Sequence, residues 1–207
     1  MLIPFNKLSI SKPIKGVIHI GAHECEERIP YINNFHITDS QIIWIDALVE
    51  KVYLIKTIHP NVQIYNECIS DEDDKDVSFM VTNNYQSSSI LNLKTHLYHH
   101  PWVFEVGRRQ LKTKTLNTFF KKNNLTPSNY NFLNLDIQGA ELLALKGATD
   151  ILPHIDYIYC EVNIEELYEN CALLPVLEEF LKEQGFKLDV IQMTDSGWGD
   201  AFFIRIN

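Results

Sequence analysis

Asp136 and Glu161 are the residues best placed to do chemistry in this chain of 207 residues. Each lies at or near the end of a run that reads as a β-strand, Asn131 to Asp136 and Ile155 to Asn163, so neighbouring parallel strands would carry both carboxylates to one crevice. Such a pair can take the proton of an acceptor hydroxyl. It can also bind a divalent cation through oxygen and lower the hydroxyl's pKa that way. The metal-free arrangement is preferred here. Each residue also has a structural reading: Asp136 can cap the helix opening at Ala140, and Gln138 and Glu141 can serve as scaffold at that helix start. Glu161 is harder to explain structurally, because an unpaired carboxylate in an apolar strand is costly to desolvate.

A second constellation lies near the amino end. Val17-Ile18-His19-Ile20 is β-prone and ends on Gly21, and Asp46 ends the next strand at about the 20-residue offset at which a carboxylate meets ribose hydroxyls. The pair implies an adenosine cofactor. A dinucleotide would set a pyrophosphate on this turn, which requires further glycines and unopposed N–H groups. Here those glycines are missing and Glu24, Glu26 and Glu27 follow instead. Three carboxylates would repel a pyrophosphate but tolerate a sulfonium, so S-adenosylmethionine is the better match. An NAD-dependent sugar oxidoreductase and a non-catalytic cofactor-binding module are the alternatives.

Strand and helix signals alternate along the chain around these residues. Strand, turn and helix are predicted over Val17–Gly21 and Glu24–Asn34, then Ile42–Asp46 and Val49–Ile58, then a third strand over Val62–Ile69. Asp76–Thr82 reads as an additional strand, and residues 83–114 as an irregular insertion. Alternation returns with helix Leu116–Lys122, strand Asn131–Asp136, helix Ala140–Lys146 and strand Ile155–Asn163. Helix Leu174–Gln184 and a strand pair, Phe186–Gln192 and Ala201–Ile206, close the chain. This predicts a single α/β domain over residues 1–207 with a mainly parallel sheet.

Several segments together resemble the FkbM family of methyltransferases: Val17-Ile18-His19-Ile20-Gly21-Ala22-His23, Gln86-Ser87-Ser88-Ser89, Asp136-Ile137-Gln138-Gly139-Ala140-Glu141 with Leu145-Lys146-Gly147-Ala148, Glu161-Val162-Asn163 with Tyr168, and Trp198-Gly199-Asp200-Ala201. The resemblance implies a Rossmann-like class I methyltransferase fold with a seven-stranded sheet, a C-terminal antiparallel hairpin and helices on both faces. It further implies S-adenosylmethionine as methyl donor and a hydroxyl acceptor on a sugar, nucleotide sugar or related small molecule. Around the cofactor it places Gly21, Ala22, His23, Glu26, Asp46, Ala47, Ser70, Asp71 and Asp136, with Asp46 toward the ribose and Asp71 near the adenine amine. Catalysis falls to Asp136, Glu161 and His96. Ser88, His96, Asn163 and Trp198 fall on the acceptor side. Two positions depart from the family pattern: Cys25 where a further glycine is usual, and Asp46 where glutamate is more frequent.

Residues 83–114 are a candidate lid over the acceptor. Lys94, Arg108, Arg109, Lys112 and Lys114 face only Glu105 in this stretch, which suggests an anionic acceptor gripped by Arg108 and Arg109. A bare basic loop is the plainer reading. His96, His99 and His100 fit no metal template, and no metal is expected.

Composition narrows the rest. A formal charge of -9 disfavours binding to a phosphate backbone, so no nucleic-acid partner is expected. The amino end lacks the pattern of a secretion signal. The most apolar stretch, Ile42 to Val49, is far shorter than the ~20 residues that span a bilayer. Cys25, Cys68, Cys160 and Cys171 form no C-x-x-C pair, which points to a reducing, cytoplasmic setting.

Overall fold

The computed structural model describes residues 1–206. Its strands are β1 (Val17–Ile20), β2 (Ile42–Asp46), β3 (Gln63–Asn66), β4 (Cys68–Ile69), β5 (Asp76–Thr82), β6 (Glu105–Lys114), β7 (Phe132–Leu135), β8 (Tyr157–Asn163), β9 (Phe186–Met193) and β10 (Trp198–Arg205). Its helices are α1 (Arg28–Phe35), α2 (Val49–Ile58), α3 (His96–His99), α4 (Leu116–Lys122), α5 (Glu141–Lys146) and α6 (Leu174–Glu183).

Seven strands form the main sheet in the order β3-β2-β1-β7-β8-β10-β9. The first five run parallel, and β10 enters antiparallel to both β8 and β9. Strands β1, β2, β7 and β8 are buried throughout. That is why they read as continuous apolar runs rather than alternating ones. In-register pairs divide the core between the two faces. Ile18, Ile43 and Leu133 pack with Leu116, Phe119 and Leu181 on one side, and Val17, Ile42 and Phe132 with Tyr31, Val52 and Ile55 on the other. Chain order reverses between β1 and β7, so a crevice opens at the ends of those two strands.

Three local expectations are corrected. The helix expected from Glu24 begins at Arg28, because His23 (φ 40°) and Cys25 (φ 57°) adopt left-handed backbone that no α-helix accommodates. The strand expected over Val62–Ile69 splits at Glu67: β3 stays in the main sheet, and β4 pairs with β6 in a second sheet of order β4-β6-β5. The stretch 83–114 is only partly irregular, since the ten residues of β6 pair antiparallel with β5 over most of their length and parallel with β4 at their end. No helix among the described residues is long and apolar enough to cross a membrane.

Candidate active site

The crevice at the β1–β7 reversal is a cavity of about 470 Å³, and Gly21 and Asp136 both line it. Gly21 (φ +90°) turns the chain at the β1 tip, and a Cβ there would stand 1.8 Å from the Asp136 carbonyl oxygen. Only glycine permits this approach.

Asp46 ties the first turn to the second strand. Its Oδ2 accepts from the His23 amide at 2.7 Å and its Oδ1 from the Leu48 amide at 2.8 Å. Burial raises its pKa against those two amides. Ahead of α1, Glu26 stands with its Oε1 2.6 Å from His23 Nδ1. Burial alone would lift the Glu26 carboxyl, but the His23 ring and backbone amides hold it down at about 2. Cys25, where the family pattern has glycine, takes the left-handed conformation that glycine would favour, and its buried thiol is pushed far up.

The two carboxylates singled out from the sequence are joined by the side chain between them. Gln138 Nε2 donates to Asp136 Oδ1 and to Glu161 Oε2, each at 2.7 Å, while Gln138 Oε1 accepts from the Tyr168 hydroxyl at 2.6 Å. Both amide hydrogens are thereby used, and the hydroxyl fixes which end of the amide carries oxygen. Gln138 (φ 57°) and Gly139 (φ 93°) form the tight turn that aims the amide back at the strand ends. Ser89 Oγ donates to the Gln138 carbonyl at 2.8 Å, so the serine-rich turn buttresses the same residue. Segments distant in sequence therefore meet at Gln138.

Asp136 is exposed at the cavity. The protein crowded around it, together with the charge of Asp200, pushes its carboxyl up to about 6 against the Gln138 bond. Glu161 is only 8% exposed, and burial, reinforced by Asp136, Glu141 and Asp200, raises it well above the usual carboxylate range. Asp136 does not cap the following helix: its carboxylate is engaged by the Gln138 side chain and by no helix amide among the described residues. The carboxylate that holds that turn is Glu141, whose Oε1 accepts from the amides of Ile137 (2.9 Å) and Gly139 (3.2 Å), with burial lifting it to about 7.

Of the residues expected around the cofactor, Gly21, His23, Glu26, Asp46, Ala47 and Asp136 line the cavity. Ala22 does not, being packed into the core cluster around Trp44. Ser70 and Asp71 also lie off the cavity, because the chain leaves the main sheet after β3 and Ser70 bonds through its amide to the Lys114 carbonyl. That corner is lined instead by Leu48, Glu67, Cys68, Ile69 and Phe79, an apolar slot with one carboxylate.

On the acceptor side, Ser88, His96, Glu161 and Trp198 line the cavity and Asn163 does not. Trp198 also packs against Tyr168 and Leu167. Arg108 and Arg109, expected to grip the acceptor, do not line the cavity. Arg108 binds Glu105 at 2.7 Å and Asn92 at 2.8 Å, and Arg109 pairs with Glu50 at 3.3 Å. The other cations of the stretch are matched too, Lys94 by Glu166, Lys112 by Asp76 and Lys114 by Asp74. The partners of Arg109, Lys94, Lys112 and Lys114 lie outside the basic stretch in sequence, which is why it looked uncompensated.

Seven carboxylate residues line the cavity, namely Glu26, Glu27, Asp46, Glu67, Asp136, Glu161 and Asp200, and no Lys or Arg side chain among the described residues joins them. Sequence reasoning did not assign roles to His19, Tyr85, His100, Trp102 or Asp200, which also contribute. Asp200 had a signal, since it sits in the Trp198-Gly199-Asp200-Ala201 segment; Trp102 had none beyond being aromatic beside a turn. No group of three or more His, Cys, Asp or Glu among the described residues is arranged to hold a metal ion.

Comparison with known proteins agrees with this architecture. The crystal structure of methyltransferase FkbM from Methylobacillus flagellatus KT superposes with a TM-score of 0.54 at 12% identity, covering 98% of this chain and 48% of that one, which shows a shared fold. The 2-O-methyltransferase NoeI of Sinorhizobium fredii (strain NBRC 101917 / NGR234) is 31% identical over 98 residues, 45% of this chain and 40% of the relative. The chain thus spans under half the length of each relative, 40% of NoeI and 48% of the Methylobacillus protein. Residues 50–188 match the methyltransferase FkbM domain, and the chain belongs to that family.

Proposed function

We propose that the chain is an S-adenosylmethionine-dependent O-methyltransferase acting on a hydroxyl of an uncharged sugar or related small molecule. The observation that carries this is the acidic lining of the cavity, seven carboxylate residues against the amino-terminal ammonium of Met1. Such a lining favours a sulfonium and an ammonium and opposes a pyrophosphate or an anionic acceptor. The 2-O-methyltransferase relative supports the choice of a hydroxyl acceptor.

The residues present fit the cofactor. Gly21 and His23 at the first turn would hold its amino-acid part, Asp46 its ribose, and the slot of Leu48, Cys68 and Phe79 its adenine. His23 Nε2 is buried without a partner there. When bound, S-adenosylmethionine supplies an electrophilic methyl group at a cationic sulfur.

The chain's own work is positioning and proton transfer. Asp136 and Glu161 face the cavity at the ends of adjacent strands, where an acceptor hydroxyl can lie against either oxygen. As the hydroxyl oxygen takes the methyl, its proton passes to the carboxylate pair. A base held near 6, as Asp136 is, suits that transfer at neutral pH. Gln138 keeps both carboxylates in register without consuming their remaining lone pairs.

Asp136→Asn and Glu161→Gln, assayed for S-adenosylhomocysteine release, should each lower kcat by about 10²-fold or more with cofactor affinity retained. Full activity in both variants would refute the assignment.

A further inference from the structure

One wall of the cavity, formed by His96, His100 and Trp102, takes no part in the proton transfer to Asp136 and Glu161. The three rings follow one another, His96 to His100 at 4.8 Å and His100 to Trp102 at 5.5 Å between centroids. The wall abuts the carboxylate pair, because the His96 ring lies 5.5 Å from that of Tyr168, whose hydroxyl bonds to Gln138.

Two features set this wall apart from ordinary packing. His96 is only 6% exposed, yet its Nδ1 is buried with no hydrogen-bond partner. A buried ring nitrogen left unpaired costs stability unless a ligand completes it. Trp102 is 66% exposed although its backbone is pinned on both sides. Asn83 Nδ2 donates to the Trp102 carbonyl at 3.1 Å, Asn83 Oδ1 accepts from the Phe104 amide at 3.0 Å, and the Val103 amide donates to the His100 carbonyl at 2.9 Å. An indole presented to solvent by a fixed backbone is pre-organised to meet a flat apolar surface.

We propose that His96, His100 and Trp102 form a subsite for a neutral pyranoside, whose ring face stacks on Trp102 while a hydroxyl beside the reacting one donates to His96 Nδ1. A sugar ring offers both parts of this pattern, C–H groups on a face and hydroxyls on the edge. The acidic cavity selects against its carboxylated or phosphorylated counterparts. Burial, aided by the neighbouring His100 and His99, holds the His96 ring down at about 4, so it is neutral at physiological pH and its nitrogen can accept.

The proposal rests on the methyl-transfer reading, and the test separates the two. Protein saturated with S-adenosylhomocysteine, with loading confirmed by calorimetry, is titrated by saturation-transfer NMR with methyl pyranosides of the gluco, galacto, manno, fuco and rhamno series and with methyl glucuronide. At least one neutral pyranoside should bind about tenfold more tightly than the glucuronide, and Trp102→Ala and His96→Phe should each weaken it about tenfold with nucleoside affinity unchanged. Trp102 is exposed, so its removal leaves the core intact. The proposal is overturned if no neutral pyranoside binds the loaded protein, if the glucuronide binds equally well, or if both variants bind like wild type. Failure of the nucleoside itself to bind would instead sink the methyl-transfer reading.

Discussion

Asp136 and Glu161 accept hydrogen bonds from the same nitrogen, Gln138 Nε2, each at 2.7 Å. The bond opposes the desolvation that raises both carboxyls. In Gln138→Met, which keeps the length of the side chain and loses the amide, the pair should hold its proton to higher pH. The acid limb of kcat/KM should move up by about one pH unit, the worth of one hydrogen bond to a charged group. A pH profile unchanged in this variant would show that the pair does not act as the base.

Gly21→Ala should be the most damaging single change at the first turn. The new Cβ would overlap the Asp136 carbonyl oxygen, and φ +90° is strained for alanine. Chemical denaturation should register a loss above about 3 kcal/mol, if the protein folds at all. A loss under about 1 kcal/mol would mean that the two strand tips are not in contact.

Glu141 gives a pH signature of stability. Its folded pKa of about 7 exceeds its unfolded value of 4.5, so the folded state binds more protons across that window and loses stability as pH rises through it. Glu141→Gln keeps an oxygen for the Ile137 and Gly139 amides and removes the titration. Its stability relative to wild type should therefore increase between about pH 5 and pH 8. Parallel stability curves for the two proteins would contradict the buried placement of this carboxyl.

Arg108→Ala and Arg109→Ala should leave turnover within about twofold of wild type, because both side chains are engaged outside the cavity with Glu105, Asn92 and Glu50. A loss of about tenfold or more in acceptor KM would reinstate them as ligands.

What could be read in the sequence follows from how local each cause is. The β1-Gly21 turn, the Asp46 strand end and the Asp136 and Glu161 strand ends depend on short apolar runs and their terminators, and these were legible. The start of α1 was not, because the left-handed residues that delay it are a histidine and a cysteine rather than glycines. The engagement of Arg109 was not legible because Glu50 lies 59 residues away, and only the folded chain reveals such a partner. Gln138 was visible but looked like scaffold, since its three side-chain bonds reach Asp136, Glu161 and Tyr168 across separate elements.

On the methyl-transfer reading, the acidic crevice between β1 and β7 binds a cationic sulfur nucleoside. Isothermal titration of the folded protein with S-adenosylmethionine, and in parallel with NAD, tests it most directly. A saturable one-site isotherm with the sulfonium compound and none with NAD is the predicted result, with the S-adenosylmethionine heat diminished in Asp46→Ala. No heat from S-adenosylmethionine, or tighter association with NAD, would contradict it.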